Sequence, residues 1–372
     1  MAFTAGEVTN IANAATDYYL DRGDIWRQTL QNRPLMDKLV AKKKYFPGGK
    51  GDISIAVSGA FGDGSGTNDS LKGYTHNDTV VFYTPANIKR ANYPWREHHI
   101  GLTLTHTELK IDGISVVDPG SNGERTSEHS RRELTVLVGL LEDKLFDLGE
   151  QYARKFNGLL YSDGTGDAKA LAGLKLLVAD DPSVGVVGGI NRATAGFEWW
   201  RNRARTAAFG TKVTGTPALG AWGGDKVTSN PANGGALLQI LQTERRLLTR
   251  YGGEPDLMVA GSDFIGAMET EIRANGNYSM TGFTKNQDGS MGDMYFAGSQ
   301  VLYDPTLDDL GLSKRAYWID TKKIMLMCME DEWMHKHTPA RPYDKFLMYR
   351  SITSTCQLIG KQFNSSLVID IA

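Results

Sequence analysis

Residues 124–157, ERTSEHSRRELTVLVGLLEDKLFDLGEQYARKFN, decide how the rest of the chain is read. Leu134, Leu137, Val138, Leu141, Leu145, Leu148, Tyr152 and Phe156 recur at steps of three and four, which places them on one face of a helix. The opposite face is charged, with Glu128 four residues before Arg132 and Glu150 four before Arg154, the favourable order for such pairs. Ser130 and Glu133 have capping-box spacing. Asn157-Gly158 reads as a C-terminal stop, because glycine tolerates the left-handed backbone there. At 1.5 Å per residue the predicted helix is roughly 50 Å long. That exceeds the usual globular helix and marks a structural beam.

Upstream, residues 3–46 read as a short amphipathic arm. Val8, Ile11, Ala12, Ala15, Tyr18 and Tyr19 sit near helical spacing, and Pro34 opens a second short helix. Residues 47–111 read as a long hairpin. GDISIAV (51–57) alternates, TVVFYTP (79–85) is a candidate second strand, Tyr93-Pro94-Trp95 interrupts the pattern, and IGLTLTHTELK (100–110) resumes it. The tip between them, residues 58–78, is polar and glycine-rich. It has too few large apolar side chains to bury itself, and a projecting two-stranded ribbon is marginal alone. Such a ribbon gains stability by lying on something else, which points to contact between subunits.

Downstream of the beam, residues 158–200 mix turns with a short apolar run and a Trp pair. Residues 236–251 read as a helix ended by Gly252-Gly253, and PDLMVAGSDFIGAMETEIR (255–273) as strand, turn, and a helix capped by Ser262 or Asp263. Residues 294–302, 316–319 and 323–329 read as strands, and the tail from residue 346 as further strand with a β-branched end. This helix–strand–helix alternation indicates a small α/β or α+β domain, and the chain as a whole is read as α+β.

Composition excludes several functions. Lys plus Arg total 41 against 43 Asp plus Glu, with no strongly basic segment, which disfavours charge-driven binding to nucleic acid. The two cysteines, Cys328 and Cys356, supply no disulfide framework and fit a reducing compartment. The N-terminus lacks the basic and apolar regions of a signal peptide, and no apolar run is long enough to span a bilayer, so synthesis and folding in the cytosol are expected.

Candidate chemistry is sparse. GDGSG (62–66) lacks the lysine and hydroxyl of a phosphate loop. Asp163, Thr165 and Asp167 begin like a calcium loop, but Ala168 and Leu174 stand where Gly and Glu are required, so a polar turn is expected. The run MLMCMEDEWMHKHTP (325–339) gathers soft metal ligands, with His335 and His337 on one strand face, yet Met and Cys in an apolar strand ordinarily fill core. His98-His99 would face opposite sides of a strand. Asp180-Asp181 and Asp308-Asp309 read as turn formers. Neither a nucleophile elbow nor a zinc-protease or dinucleotide motif occurs. No catalytic, cofactor-binding or metal-binding residue is assigned, and no enzymatic activity is expected.

The order of parts (arm, long hairpin, spine helix, α/β lobe, returning strands) resembles the major capsid protein of tailed bacteriophages, with the Hong Kong 97-like fold. NYPWREHHIGLTLTHTELKIDG (92–113) resembles the descending strand of that family's extended loop. DGTGDAKALAGLKLLVADDPSVGVVGGINRATAGFEWWRN (163–202), with VGGINRAT followed by a Trp pair, is the most specific match. The resemblance implies an N-arm over 1–46, an E-loop over 47–111, a peripheral domain over 112–215 with the spine helix at 124–157, and an axial domain over 216–338. Residues 339–372 would return to the peripheral domain.

It also implies self-assembly into pentamers and hexamers of an icosahedral shell, found in the virion and assembled in the host cytoplasm. The implied partners are portal, scaffolding and decoration proteins, and packaged double-stranded DNA touched without sequence specificity, with no membrane. Because the chain begins directly with its arm, a separate scaffold is expected. One member of the family cross-links a lysine of this loop to an asparagine; Lys72 lies near the expected tip, but no matching asparagine is identified and no cross-link is assigned. A nanocompartment shell of the same fold holding an enzyme cargo, and a cytosolic α/β enzyme, are the alternative readings.

Overall fold

A computed structural model describes residues 31–47, 51–59, 73–79, 88–105, 131–194, 196–210, 222–229, 236–274, 294–337 and 347–372. The expected helix over 3–19, the GDGSG segment, Lys72, the strand at 79–85 beyond Thr79, and the helix start at 124–130 lie outside them. The elements in chain order are α1 (Pro34–Ala41), β1 (Lys44–Phe46), β2 (Asp52–Ser58), β3 (Ile88–Pro94), β4 (Arg96–Thr105), α2 (Arg131–Tyr161), α3 (Leu174–Leu177), β5 (Val186–Val187), β6 (Ile190–Asn191), β7 (Arg203–Arg205), α4 (Ala207–Gly210) and β8 (Gly223–Gly224). There follow α5 (Ala236–Thr249), β9 (Leu257–Ala260), α6 (Ser262–Ala274), β10 (Met294–Phe296), β11 (Ser299–Tyr303), α7 (Pro305–Asp309), β12 (Arg315–Ile319), β13 (Ile324–Met329), β14 (His335–Lys336), β15 (Leu347–Gly360) and β16 (Leu367–Asp370).

The chain divides into two compact units. The larger comprises Asn32–Glu97, Lys155–Trp333 and Thr355–Ala372. It is built on a seven-stranded sheet of order β10-β11-β9-β12-β16-β7-β8. Every residue of β9 and β12 is buried, which explains their continuous apolar runs. Helices α5 and α6 cover one face, where Leu237, Leu241 and Leu248 meet Phe264, Met268, Met258, Trp318 and Ile369. Strand β16 lies between β12 and β7. Leu367, Val368 and Ile369 are buried whichever face they point to, and only an interior strand provides that. In the same unit β1 runs parallel to β13, and β13 pairs antiparallel with β15, setting Cys328 opposite Cys356. Both are buried free thiols.

In the smaller unit (Met1–Gln31, His98–Arg154, Met334–Ser354), β14 pairs with β15 through His335 and Thr353 and through Lys336 and Ile352. The beam helix is present as α2, 31 residues long. Leu148, Tyr152 and Phe156 of the predicted face are buried, as are Leu160 and Tyr161 one turn further on.

The predicted stop at Asn157-Gly158 is not where α2 ends. Asn157 is fully buried and occupied by tertiary partners. Its Oδ1 accepts from the Met36 amide at 3.2 Å, while its Nδ2 donates to both Asp304 oxygens (3.1 and 3.3 Å) and to Thr306 Oγ1 (2.7 Å). Tyr161 donates to Asp304 Oδ2 at 2.8 Å, and Asp304 caps α7 by accepting from the Thr306 amide. The joint thus ties α1, α2 and α7 together. The helix α6 also departs from expectation. It follows Gly261 directly, Asp263 accepts from the Ser313 hydroxyl, and Ser262 donates its amide to Asp308.

Replacing Asn157 with Ala leaves the buried Met36 amide without its partner and takes one donor from each Asp304 oxygen, so we expect a loss of about 2–4 kcal/mol in denaturant unfolding. Alkali provides a second test. Burial raises the Tyr161 hydroxyl well above its ordinary 10.0, and raises Tyr317, whose ring lies 5.9 Å away, to about 12. The fold keeps both phenols neutral where the unfolded chain would ionise them. Their contribution is complete below pH 10 and is lost as pH climbs through the folded values, at about 1.4 kcal/mol per pH unit for each group. The absorbance change contributed by these two phenols should therefore coincide with unfolding rather than precede it.

Candidate functional site

The antiparallel pair β2–β3 runs in unbroken register from Asp52 opposite Pro94 to Ser58 opposite Ile88. The partner of β2 is therefore residues 88–94, while the candidate strand at 79–85 lies outside the described residues beyond Thr79. Side chains alternate across the ribbon. Ile53, Val57, Ala91 and Tyr93 are buried on one face, while Asp52, Ser54, Ala56, Arg90 and Asn92 are exposed on the other. Ile88, opposite Ser58 at the end of the pair, is 74% exposed. Among the described residues the outer edge of β2 pairs with no strand. Beyond the ribbon, Thr75 and Asp78 close a turn through reciprocal bonds of 2.8 and 2.9 Å.

The buried face is seated on the segment that carries VGGINRAT. Val186-Val187 and Ile190-Asn191 form a hairpin whose two loop residues, Gly188 and Gly189, have φ of 60° and 78°. That is the glycine-requiring turn that matches strand twist. The Gly188 carbonyl accepts from the Asn92 amide at 3.0 Å, and a Cβ at Gly188 would stand 2.9 Å from the Ala91 Cβ. Tyr93 reaches past the hairpin and donates to the Gly360 carbonyl at 2.9 Å, and burial raises its hydroxyl.

Beneath the hairpin lies Arg192, fully buried. Its guanidinium donates to the carbonyls of Leu176, Leu177 and Trp200, at the C-terminal end of α3 and the end of the Trp pair, and stacks 4.8 Å from the Phe363 ring. Three carbonyls and an aromatic face thus hold the cation, the charge preference of a helix C-terminus. Burial lowers it to about 10, with Tyr93 opposing the shift. Trp200 donates to the Val187 carbonyl and packs edge-on against Phe363 at 4.6 Å, while the Trp199 ring lies against Gly59 at the end of β2. The motif singled out by resemblance is therefore the seat of the ribbon. Sequence reasoning missed Arg192, because a lone Arg in a polar loop reads as solvated.

The chemistry weighed in the sequence falls elsewhere. Asp163 Oδ1 accepts from both the Thr165 amide and its hydroxyl, and Asp167 accepts from the Lys169 amide, so these carboxylates close polar turns. Asp308 binds the Ser262 amide and the Tyr303 hydroxyl. Asp180 lies 2.9 Å from Arg315, which also bridges to Asp370. Among the described residues no group of three or more His, Cys, Asp or Glu could hold a metal ion, and no helix is long and apolar enough to cross a membrane.

No family model and no curated protein matches the chain. Solved structures do. The capsid subunit of cyanophage A-1(L) superposes with a TM-score of 0.60 at 15% identity, over 94% of this chain and 96% of that one. The capsid subunit of a native GTA particle superposes with a TM-score of 0.51 at 13% identity, over 97% and 98%. The chain has the Hong Kong 97-like fold of these capsid subunits.

The two hairpin glycines make different predictions. Gly189→Ala meets open space and costs only the left-handed strain, about 1–2 kcal/mol. Gly188→Ala adds a collision with Ala91 and should cost more, while also loosening the ribbon. Denaturant unfolding compares the stabilities, and limited proteolysis between residues 58 and 88 reports the ribbon.

Proposed function

We propose that this chain is a major capsid protein whose copies close into the icosahedral shell of a tailed bacteriophage around double-stranded DNA. The observation that carries the reading is the whole-chain likeness to the cyanophage A-1(L) capsid subunit. The ribbon supports it. One face is seated on the body and the other is solvated and carries the exposed Ile88. Two strands are too few to stand alone, and a neighbouring copy supplies the missing contact.

In this reading residues 1–46 form an arm, 47–111 the extended loop, 112–215 the peripheral domain with its spine helix, 216–338 the axial domain, and 339–372 the returning strands. The role is structural rather than catalytic. Copies meet as pentamers and hexamers, heterologous contacts that close on themselves. Portal and scaffolding proteins would nucleate and size the shell, and decoration proteins would bind its outside. The assembled protein resides in the virion after assembly in the host cytoplasm. A net charge of −2 per chain suits a container that encloses DNA without gripping it.

Negative-stain images and sedimentation of the concentrated protein test the reading, with closed particles of megadalton mass as the expected result. Ile88→Asp touches no core contact, so subunit stability should stay within about 0.5 kcal/mol. It should nevertheless raise the concentration needed for assembly by about tenfold, equivalent to about 1.4 kcal/mol. Deleting residues 58–78 should leave a folded subunit that assembles poorly. A chain that remains monomeric at every concentration, with its ribbon shielded from protease, overturns the reading.

A further inference from the structure

Strand β14 presents two imidazoles that the shell reading does not use. His335 and His337 are both exposed. They are two residues apart on an extended segment, His335 pairing with Thr353 and the His337 amide donating to the Ser351 carbonyl at 2.9 Å, so both rings lie on the same face. The segment is held from its start. Met334 is one of three non-glycine residues with positive φ among those described (51°), and its amide donates to Ser354 Oγ at 2.8 Å.

The rings meet edge to face, 70° apart, with centroids separated by 4.8 Å. Imidazole nitrogens bind a transition metal at about 2.0–2.1 Å, with the ring centre about 1.1 Å further out. Two rings sharing one ion at angles between square and tetrahedral therefore have centroids about 4.5–5.2 Å apart. The observed separation falls inside that window.

His337 also has the outer contact that metal-binding histidines use. Its Nε2 lies 2.8 Å from Thr353 Oγ1. With the proton on Nε2 and donated to the hydroxyl, Nδ1 carries the free lone pair and the ring is fixed in orientation. The softer donors of the same sequence run are not available, since Cys328 is fully buried.

We propose that His335 and His337 form a two-imidazole site for a divalent transition metal, with Thr353 positioning His337. Two protein ligands leave the remaining coordination positions to water. The affinity order should follow ligand-field preference, with Ni2+ above Co2+ and Co2+ above Mn2+.

Calorimetric titration of the full chain with nickel chloride, paired with the histidine C–H resonances, is the test. One saturating site is expected, with paramagnetic broadening concentrated on His335 and His337. His335→Gln and His337→Gln, which keep the strand polar, should each weaken the site more than about tenfold. Thr353→Val should weaken it by about tenfold, the usual range for an outer partner. The exposed His76 serves as the control, and His76→Ala should change nothing. Folded His335→Gln or His337→Gln protein that binds Ni2+ as wild type does, or broadening spread evenly over the exposed histidines, overturns the proposal.

Discussion

The hydrogen bond from the Asn92 amide to the Gly188 carbonyl, with Ala91 packed beneath it, fixes where the ribbon sits within the larger unit. Everything else at the seat follows from keeping that contact in place. The carbonyl can face Asn92 only if the turn takes two left-handed residues, and only glycine does so without cost. The loop after the turn must then dive back into the body, carrying Arg192 inside. A buried guanidinium is tolerable only when its protons are spoken for, and the carbonyls of Leu176, Leu177 and Trp200 do that. The Trp200 ring shields the cluster while its Nε1 ties back to the hairpin at Val187. A short glycine turn, a buried cation and an aromatic lid are therefore parts of one solution.

The same logic recurs through the larger unit. Glu271 of α6 is fully buried and accepts from the Leu237 and Leu238 amides, closing the first turn of α5 with a carboxylate from another helix. Glu244 of α5 accepts from Arg203 and Arg205 of β7, pinning that strand near the sheet edge to the helix above it. Asn157 joins α2 to α7, and Asp256 binds both Lys42 and Thr321, joining the segment after α1 to the end of β12. Apolar packing alone tolerates many arrangements of similar volume. A buried carboxylate or amide does not, because every wrong arrangement leaves it unpaired. These joints cost desolvation, and in return they single out one arrangement of helices on the sheet.

This division explains what the sequence made legible. The β9–α6 unit, the helix α5 and the strands β12 and β13 were visible, since burial on one or both faces writes itself into local periodicity, whereas the run 294–302 read as one strand and folds as the hairpin β10–β11 about Ala297-Gly298. The exposed and buried alternation of β2 was visible for the same reason. Its partner was not. Residues 88–94, IKRANYP, read as polar and end in proline, and only Ala91 and Tyr93 face inward. The Asn157-Gly158 pair fits a helix stop by local rules, yet the partners that keep Asn157 helical lie 121 to 149 residues away. The place of β16 depends on two strands far from it in the chain. Arg192 carries no local mark of burial, and the motif around it was recognised by its resemblance to phage capsid proteins. Periodicity reports burial, whereas polar joints depend on distant partners that no local window contains.

The low identity of 13–15% over nearly the whole chain fits that division too. Core positions require volume and spacing rather than particular residues, so a shared architecture survives extensive substitution. For the proposed shell, the contacts between copies face a further constraint. Each copy would lend its ribbon to one neighbour and receive another, so every favourable contact counts around the closed ring. Strong individual contacts would trap misplaced copies, whereas weak ones can be undone and remade. A ribbon that is half satisfied at home and, among the described residues, offers Ile88 and a polar face would supply a contact of that modest kind. The near-neutral charge acts in the same direction, since hundreds of like-charged copies would repel one another and demand stronger contacts in compensation. In the proposed shell the partial seating of the ribbon would thus matter as much as its exposure: the seat fixes its direction, and the unsatisfied remainder would keep association reversible until the shell closed.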